Sequence, residues 1–463
     1  MSRPLNILIL GGGIAGLALA AALRQRSEHR VVVLERGSLP GVPAALIASG
    51  LQRGHSDVPD AQDYGIAIAP NGTRMLHILG VANPVAALGG KPLQEISTRS
   101  AENEESENSS YPLDPSAPAF FCRRSAMVRT LAQAAASPML PGAAVQIHIN
   151  VPVAELDVQT ARYGEHCGDL IVLADGLSKA GRAAVVDAHG LPAELRDANT
   201  AQLAYMGLVP ARALAPFSHL HDDGVPRGCL ANWTWDPPHA AEEEADEAAE
   251  MARRGRAQQR LILYPLGDDA LQLFAYQPAT AALLERFPRG GAHGSRAGFI
   301  RDVDAKEATE VFAAFAPEVQ ELLRSCPTLD LAQIRDAPCL DNWAAGRAVL
   351  VGDAAHATLP HTGQGSAQAL EDAEALSYLL APLRAEPSSA STEAAAVASL
   401  DEALAAFVAV RTPRAHMVQR TARMLNGCLA PGEAQYMRDW DEVSYMMSML
   451  TYAGVEQQLA AQQ

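Results

Sequence analysis

Three glycines in Gly11-Gly12-Gly13-Ile14-Ala15-Gly16 stand at the spacing G-x-G-x-x-G, directly after the apolar run NILIL and at the opening of a helical pattern. Gly11 permits a tight turn, Gly13 lets backbone approach a pyrophosphate, and Gly16 lets helix and strand pack closely. The free N–H groups at the start of that helix, with its dipole, would face the phosphates. Glu35 closes the next apolar run, at the distance where an acid grips a ribose hydroxyl. Such an acid suits NAD or the ADP half of FAD.

A second block lies far downstream, in GDAAHATLPHTGQGSAQALEDA at residues 352–373. The apolar run AVLV gives way to one acid, Asp353, then to many small residues. Ala369, Ala373, Leu376 and Leu380 follow at helical spacing. A turn needs one glycine or two, so Gly363-Gln364-Gly365 marks a place where backbone comes close to another molecule. A nucleotide-contacting segment this late favours FAD, whose flavin reaches far from the first turn.

Strand and helix signals alternate around the first block: NILIL, a helix over residues 14–23, then VVVLE. GDLIVLAD and AVLVGD repeat the short apolar run that ends in an acid, the pattern of a parallel sheet covered by helices. CLANWTW, RLILYPL and ALQLFAYQ read as antiparallel strands, the last two joined by a turn at residues 267–269. The predicted class is α/β, a Rossmann-like FAD-binding domain with an interleaved antiparallel-sheet substrate domain and C-terminal helices. We expect residues 1–185 and 340–385 to form a discontinuous FAD-binding domain, with residues near 91–123 contributing to the substrate side. Residues 186–339 would form the substrate-binding domain and 386–463 a C-terminal helical region.

With 463 residues the chain suits two domains or one large composite, and 5% aromatics imply a core of Ala, Leu and Val. A net charge of -17, from 53 acids against 36 bases, repels nucleic acid and anionic membrane. The expected partner is a small molecule. Six scattered cysteines without a Cys-x-x-Cys pair argue against a disulfide framework or a zinc site, so no metal is expected. They fit a reducing, cytoplasmic setting. Residues 5–23 approach the length and apolarity of a membrane span. Their three consecutive glycines, with β-branched residues only in the first half, read instead as strand, turn and buried helix, so no integral membrane association is expected. AENEESENSS, AAEEEADEAAE and EPSSASTEAAA read as solvated insertions without function. A monomer or a homodimer is expected.

The block GRAVLVGDAAHATLPHTGQGSAQALEDAEAL resembles the GD motif of the class A flavoprotein monooxygenases, the group containing p-hydroxybenzoate and salicylate hydroxylases. Four further segments agree, in order. GGGIAGL with VVVLER resembles the family fingerprint, which adds Arg36 beside Glu35. YGIAIAPNGTRMLHILGV resembles its Gly-Ile-x-x-x-Pro-Asn segment, CRRSAMVRTLAQAA the helix carrying a flavin-contacting arginine, here Arg124, and GDLIVLADGLSKAGR the DG motif, here Asp175. The resemblance implies that Asp353 binds the ribityl chain. Pro360, Gly363, Gln364 and Gly365 would lie against the isoalloxazine ring. It also implies an NADPH- or NADH-consuming enzyme that forms a flavin C4a-hydroperoxide and passes OH to an aromatic or electron-rich small molecule, a polyketide- or alkaloid-like intermediate included. Hydroxylation leads, with epoxidation or oxidative dearomatisation behind. The rival readings are a flavin-dependent reductase or oxidase on the same scaffold, or a non-catalytic FAD-bound ligand-binding protein.

Several residues depart from the family pattern. Lys179 and Ala180 replace the usual Ser and Arg of the DG motif, which leaves the nicotinamide cofactor open. Tyr64 stands where a small residue is usual, as a substrate wall or gate. Tyr205-Met206-Gly207 replaces aromatic-Arg-Gly, and Met206 cannot clamp an anion; the residue is core packing or marks a neutral or bulky substrate. Pocket candidates are Tyr264, Tyr205, Met206 and His361, the last able to orient or deprotonate a hydroxyl if it titrates near neutrality. His356 reads as a structural hydrogen-bonder, and Trp233 and Trp235 as packing residues on one strand face.

Overall fold

The computed structural model describes residues 3–48, 63–111, 114–137, 143–178, 180–236, 258–287, 298–383, 399–429 and 432–460. Lys179, AAEEEADEAAE and EPSSASTEAAA lie outside the described residues.

The chain opens with strand β1 (Asn6–Leu10), helix α1 (Ile14–Arg26) and strand β2 (Arg30–Leu34). Strand β3 (Gly65–Ile68) leads into α2 (Pro70–Ile78), which Pro70 opens at a position where its missing N–H costs nothing. Then come β4 (Glu95–Ser100), β5 (Glu105–Ser110), β6 (Phe120–Arg123), α3 (Arg124–Ala135), β7 (Gln146–His148), β8 (Leu170–Leu173) and α4 (Ala180–Ala188).

The middle of the chain is sheet-rich: β9 (Asn199–Pro210), β10 (Cys229–Trp235), β11 (Gln259–Pro265) and β12 (Ala270–Pro278). It closes with β13 (Phe299–Ile300), α5 (Ala305–Val311), α6 (Pro317–Arg324) and β14 (Leu329–Asp336). The chain then makes β15 (Ala344–Ala345), β16 (Ala348–Leu350), α7 (Asp353–His356), α8 (Gly365–Leu380) and α9 (Leu400–Leu425).

A six-stranded sheet runs in the order β15-β16-β8-β1-β2-β7, parallel except for the short β15. Its central strands are apolar on both faces because helices cover both, and Ile7, Ile9, Ile171 and Val172 are wholly buried. Helix α1 is buried nearly all round, which its run of alanines allows between the sheet, α3 and α8. Residues 5–23 are thus strand, turn and helix. Among the described residues no helix is long and apolar enough to cross a membrane.

The second sheet has eight strands in the order β13-β14-β9-β12-β11-β10-β4-β5. Strands β11 and β12 form the expected hairpin, with Gly267 at φ 109° in its turn. One face packs on α5 and α6 through Tyr205, Trp233, Phe312 and Leu331, and the other packs on β3, β6 and the chain beside them through Tyr64, Ala67 and Phe121. Trp233 is fully buried on the helix-covered face and donates to Asn103 Oδ1 at 2.8 Å, a packing role. AENEESENSS corrects one expectation. Its second half is not an insertion but the exposed edge strand β5, whose charges guard an open edge against further pairing. All six cysteines are free.

Candidate functional site

The first glycine turn is shaped by packing on two sides and open on the third. Gly11 has φ 115°, and a Cβ there would strike Ala174 O at 2.3 Å. A Cβ on Gly16 would meet Gly11 O at 2.1 Å, so helix and strand approach as closely as backbone allows. Gly13, at the N-cap of α1, differs: the nearest atom to a Cβ would be Arg124 Nη2, 3.8 Å away. The half-buried Arg124 side chain makes no hydrogen bond or ion pair among the described residues. An open helix N-terminus beside an uncommitted guanidinium is an anion site. Glu35 accepts from Gly12 N at 2.7 Å and Gly37 N at 2.6 Å, which fixes its carboxylate and leaves lone pairs for a hydroxyl. Arg36 is exposed, and its charge reaches Asp175.

The turn before Asp353 leans on the same place. Gly352 has φ 62° and ψ -144°, a conformation essentially restricted to glycine, and its Cβ would lie 2.7 Å from Ala15 Cβ. This contact sets Asp353 beside the first turn of α1. Asp353 is exposed at this turn. Yet burial pushes its carboxyl up, against the pull of His356 and Arg124.

From there the chain passes Pro360, exposed, and Gly363, at φ 63°, to Gly365 at the start of α8. A Cβ on Gly365 would have nothing within 4 Å. Gln364 is turned inward and accepts from Asn71 Nδ2 at 2.8 Å, so it steadies the turn from behind. The unpaired N–H groups of α8 therefore open on empty space.

A buried ionic frame holds these turns. Asp372 Oδ2 accepts from Gly352 N at 2.7 Å and His356 Nε2 at 2.6 Å, and its Oδ1 accepts from Arg411 Nε at 2.8 Å. Glu371 meets Arg411 at 2.6 Å, Arg414 at 2.6 Å and Asn71 at 2.7 Å. Arg411, on α9, is fully buried. His356 is the structural hydrogen-bonder the sequence implied. Asp175 caps the start of α4 through Ser178 Oγ and Gly181 N, while its Oδ1 is buried without a partner among the described residues. Arg182 ties α4 to α7 by donating to Ala355 O at 2.7 Å and Pro338 O at 2.6 Å; burial lowers it to about 10.

The open face of the eight-stranded sheet presents alternate residues, and the register decides which. Met206 lies across from Phe274, Ala204 from Tyr276, and Tyr276 from Arg260. Met206, Tyr276 and Tyr64 pack together with Ile262 and Phe299 alongside. Tyr64 stacks on Phe299 at 5.9 Å and donates to Asp330 Oδ2 at 2.6 Å, while Arg301 donates to its hydroxyl at 2.7 Å. Burial and Asp330 push its phenol up, so it stays protonated. An aromatic row, Phe121–Tyr264–Phe274–Tyr276–His361, has successive centroids 4.5, 6.1, 5.9 and 4.9 Å apart.

Two pocket candidates need correction. Tyr205 points to the opposite face from Met206, as strand alternation demands. There its hydroxyl donates to Glu307 at 2.9 Å and its ring meets Phe312 edge-on, so it belongs to the core under α5. His361 is not a near-neutral titrating group: burial, with Arg260 beside it, holds it well below 6.5. Arg260 Nη1 lies 3.1 Å from its Nδ1 and can only donate, so Nδ1 is the acceptor. The proton then sits on Nε2 and goes to Gln202 Oε1 at 2.9 Å. Both ring nitrogens are committed.

Tyr264 is on the open face but its hydroxyl is spent on Gly65 O at 3.0 Å. With Gln272 accepting from Gly65 N at 2.7 Å, it pins β3 to the sheet, where a Cβ on Gly65 would strike Leu266 at 2.7 Å. Sequence reasoning missed Arg260, Gln202 and Tyr276. Their signal was alternation, since Arg260 shares a face with Ile262 and Tyr264. Arg411 had no local signal.

The residues fit FAD. The open faces at Gly13 and Gly365, with Arg124 and Asp353 near the first, offer cation, acid and backbone donors to a long dinucleotide. The chain matches a family model described as an NAD(P)-binding Rossmann-like domain over residues 9–68, and another described as an FAD binding domain over residues 326–398. It is 28% identical to the 3-amino-4-hydroxybenzoate 2-monooxygenase of Streptomyces cremeus, covering 92% of this chain and 88% of that protein. It is 24% identical to a salicylate hydroxylase of Pseudomonas putida, covering 90% and 84%. The crystal structure of Klebsiella pneumoniae HpxO complexed with FAD and uric acid superposes with a TM-score of 0.62 at 20% identity, covering 96% of each chain. Over nearly its whole length the chain is similar to the class A FAD-dependent monooxygenases, salicylate hydroxylase among them, and it is an FAD-dependent monooxygenase.

Proposed function

We propose that this monooxygenase hydroxylates an aromatic or similarly electron-rich small molecule at the open face of the eight-stranded sheet, with NAD(P)H as reductant. The observation that carries this reading is the opposition of two features: the unfilled space at the N-terminus of α8, and the apolar face built from Met206, Ile262, Phe274 and Phe299. Bound FAD supplies hydride acceptance and oxygen activation.

The chain's own residues do the rest. Arg124 and the N-terminus of α1 hold the pyrophosphate, Glu35 a ribose hydroxyl, and Asp353 the ribityl chain. N–H groups at Gly365 and beyond would hold the flavin edge and stabilise negative charge there. Met206, Tyr64 and the aromatic row exclude water, which would otherwise waste the activated oxygen. Residues 1–185 and 340–385 form the FAD-binding part in this reading, and 186–339 the substrate part.

The test is product analysis under isotopically labelled dioxygen with a panel of phenols and aromatic acids. One labelled oxygen in the product supports the reading. NAD(P)H consumption that yields only hydrogen peroxide across the panel contradicts it.

A further inference from the structure

We infer that Arg260 recognises the substrate, and that the substrate is therefore an anion; the inference rests on the site proposed above. The sequence placed no cation where relatives carry one, since Met206 stands there. The fold supplies one two strands away, on the same sheet face.

Arg260 opens β11 and lies across from Tyr276 in the register. No carboxylate lies within ion-pairing distance of it among the described residues. Its acceptors are neutral: His361 Nδ1 at 3.1 Å and Gln258 Oε1 at 2.8 Å. Arg301, by contrast, is paired with Asp330, and Arg411 and Arg414 with Glu371. Asp236 acts on it only at longer range, beyond Gln258, whose Nε2 donates to Asp236 Oδ1 at 2.9 Å. A guanidinium taken from water without a direct ion pair is costly, and an anion set against it relieves that cost.

The guanidinium has five N–H donors, of which two contacts use part. Its Nε makes no hydrogen bond among the described residues. Two neutral acceptors hold the fork in one orientation. His361 is itself fixed by Gln202, so the fork is preorganised from the flavin loop and from the sheet. Beside it the Tyr276 ring, buried against His361, carries a hydroxyl with no hydrogen-bond partner among the described residues. A carboxylate lying over this pair has a donor for each oxygen. An ionised phenol has the guanidinium alone.

The experiment titrates the FAD-loaded protein with matched pairs, salicylate against salicylamide and 4-hydroxybenzoate against its amide, and follows the flavin absorbance. A charge-assisted pair of this kind should favour the acid by about ten- to a hundredfold. Arg260→Met should abolish the preference, Arg260→Lys should keep part of it, and Arg324→Met, on the exposed side of α6, should leave it. Equal binding of acid and amide by the wild type overturns the inference, as does a preference that survives in Arg260→Met. So does a flavin spectrum that no acid perturbs at millimolar concentration. A protein that holds no FAD at all overturns the functional reading itself, whereas one that holds and reduces FAD without discriminating overturns this inference alone.

Discussion

Replacing Gly365 by alanine separates the flavin space from the fold. The position opens α8, and a Cβ there meets no protein atom within 4 Å. Without FAD the methyl group is harmless. By narrowing the unfolded ensemble it should stabilise the apoprotein by about 0.4–1 kcal/mol. If the isoalloxazine edge fills that space, the same methyl group overpacks it at a cost of about 1–3 kcal/mol. FAD should then bind about 10- to 100-fold more weakly.

Gly352→Ala is the contrast. Its φ of 62° and the 2.7 Å approach to Ala15 Cβ put the strain inside the protein. Each component costs about 1–3 kcal/mol, so the apoprotein itself should lose stability. The assay titrates apoprotein with FAD, following flavin fluorescence, beside urea midpoints of the apo forms. Wild-type FAD affinity in Gly365→Ala would refute the placement of the ring against α8.

Three further outcomes follow from the same geometry. Arg411→Met leaves Asp372 and half of Glu371 buried without their cation, and should cost about 3–5 kcal/mol by urea denaturation; a loss below about 1 kcal/mol would deny the frame its role. Tyr264→Phe removes one buried hydrogen bond to Gly65 and should cost about 1–2 kcal/mol while flavin reduction proceeds; loss of reduction with unchanged stability would make the phenol catalytic instead.

His361 gives the pH dependence. Its folded pKa lies well below 6.5, so on acidification the unfolded chain takes up the proton first. Stability should therefore fall as pH drops below about 6.5, and the drop should be smaller in His361→Gln. An acid limb near neutrality in the rate profile that vanishes in His361→Gln would restore it as a base.

Much of the nucleotide-binding half could be read from the chain because its constraints are local. Gly11 and Gly16 answer to backbone within a few residues or one strand away, and the run from Ala348 to Leu380 carries its strand, turns and helix in sequence order. The sheet face was harder. Tyr205 and Met206 are neighbours in the chain, and only the strand register shows that they part to opposite faces. His361 offered an ordinary pKa to the eye, and its depression comes from burial in the fold and then from Arg260, 101 residues away. The ionic frame joins Asp372 to Arg411 across 39 residues and another helix, so no spacing rule could have found it. The acidic segment at residues 105–110 misled for another reason. Composition reports exposure, and an edge strand is as exposed as a loop.

The most direct test of the account is an anaerobic absorbance trace of the purified protein, with NADPH or NADH and then air added. Flavin bands that bleach with the nicotinamide and return with oxygen are the expected result, and a substrate that speeds the bleaching would point at the occupant of the sheet face. A colourless protein that cannot be reconstituted with FAD would contradict the assignment at its root.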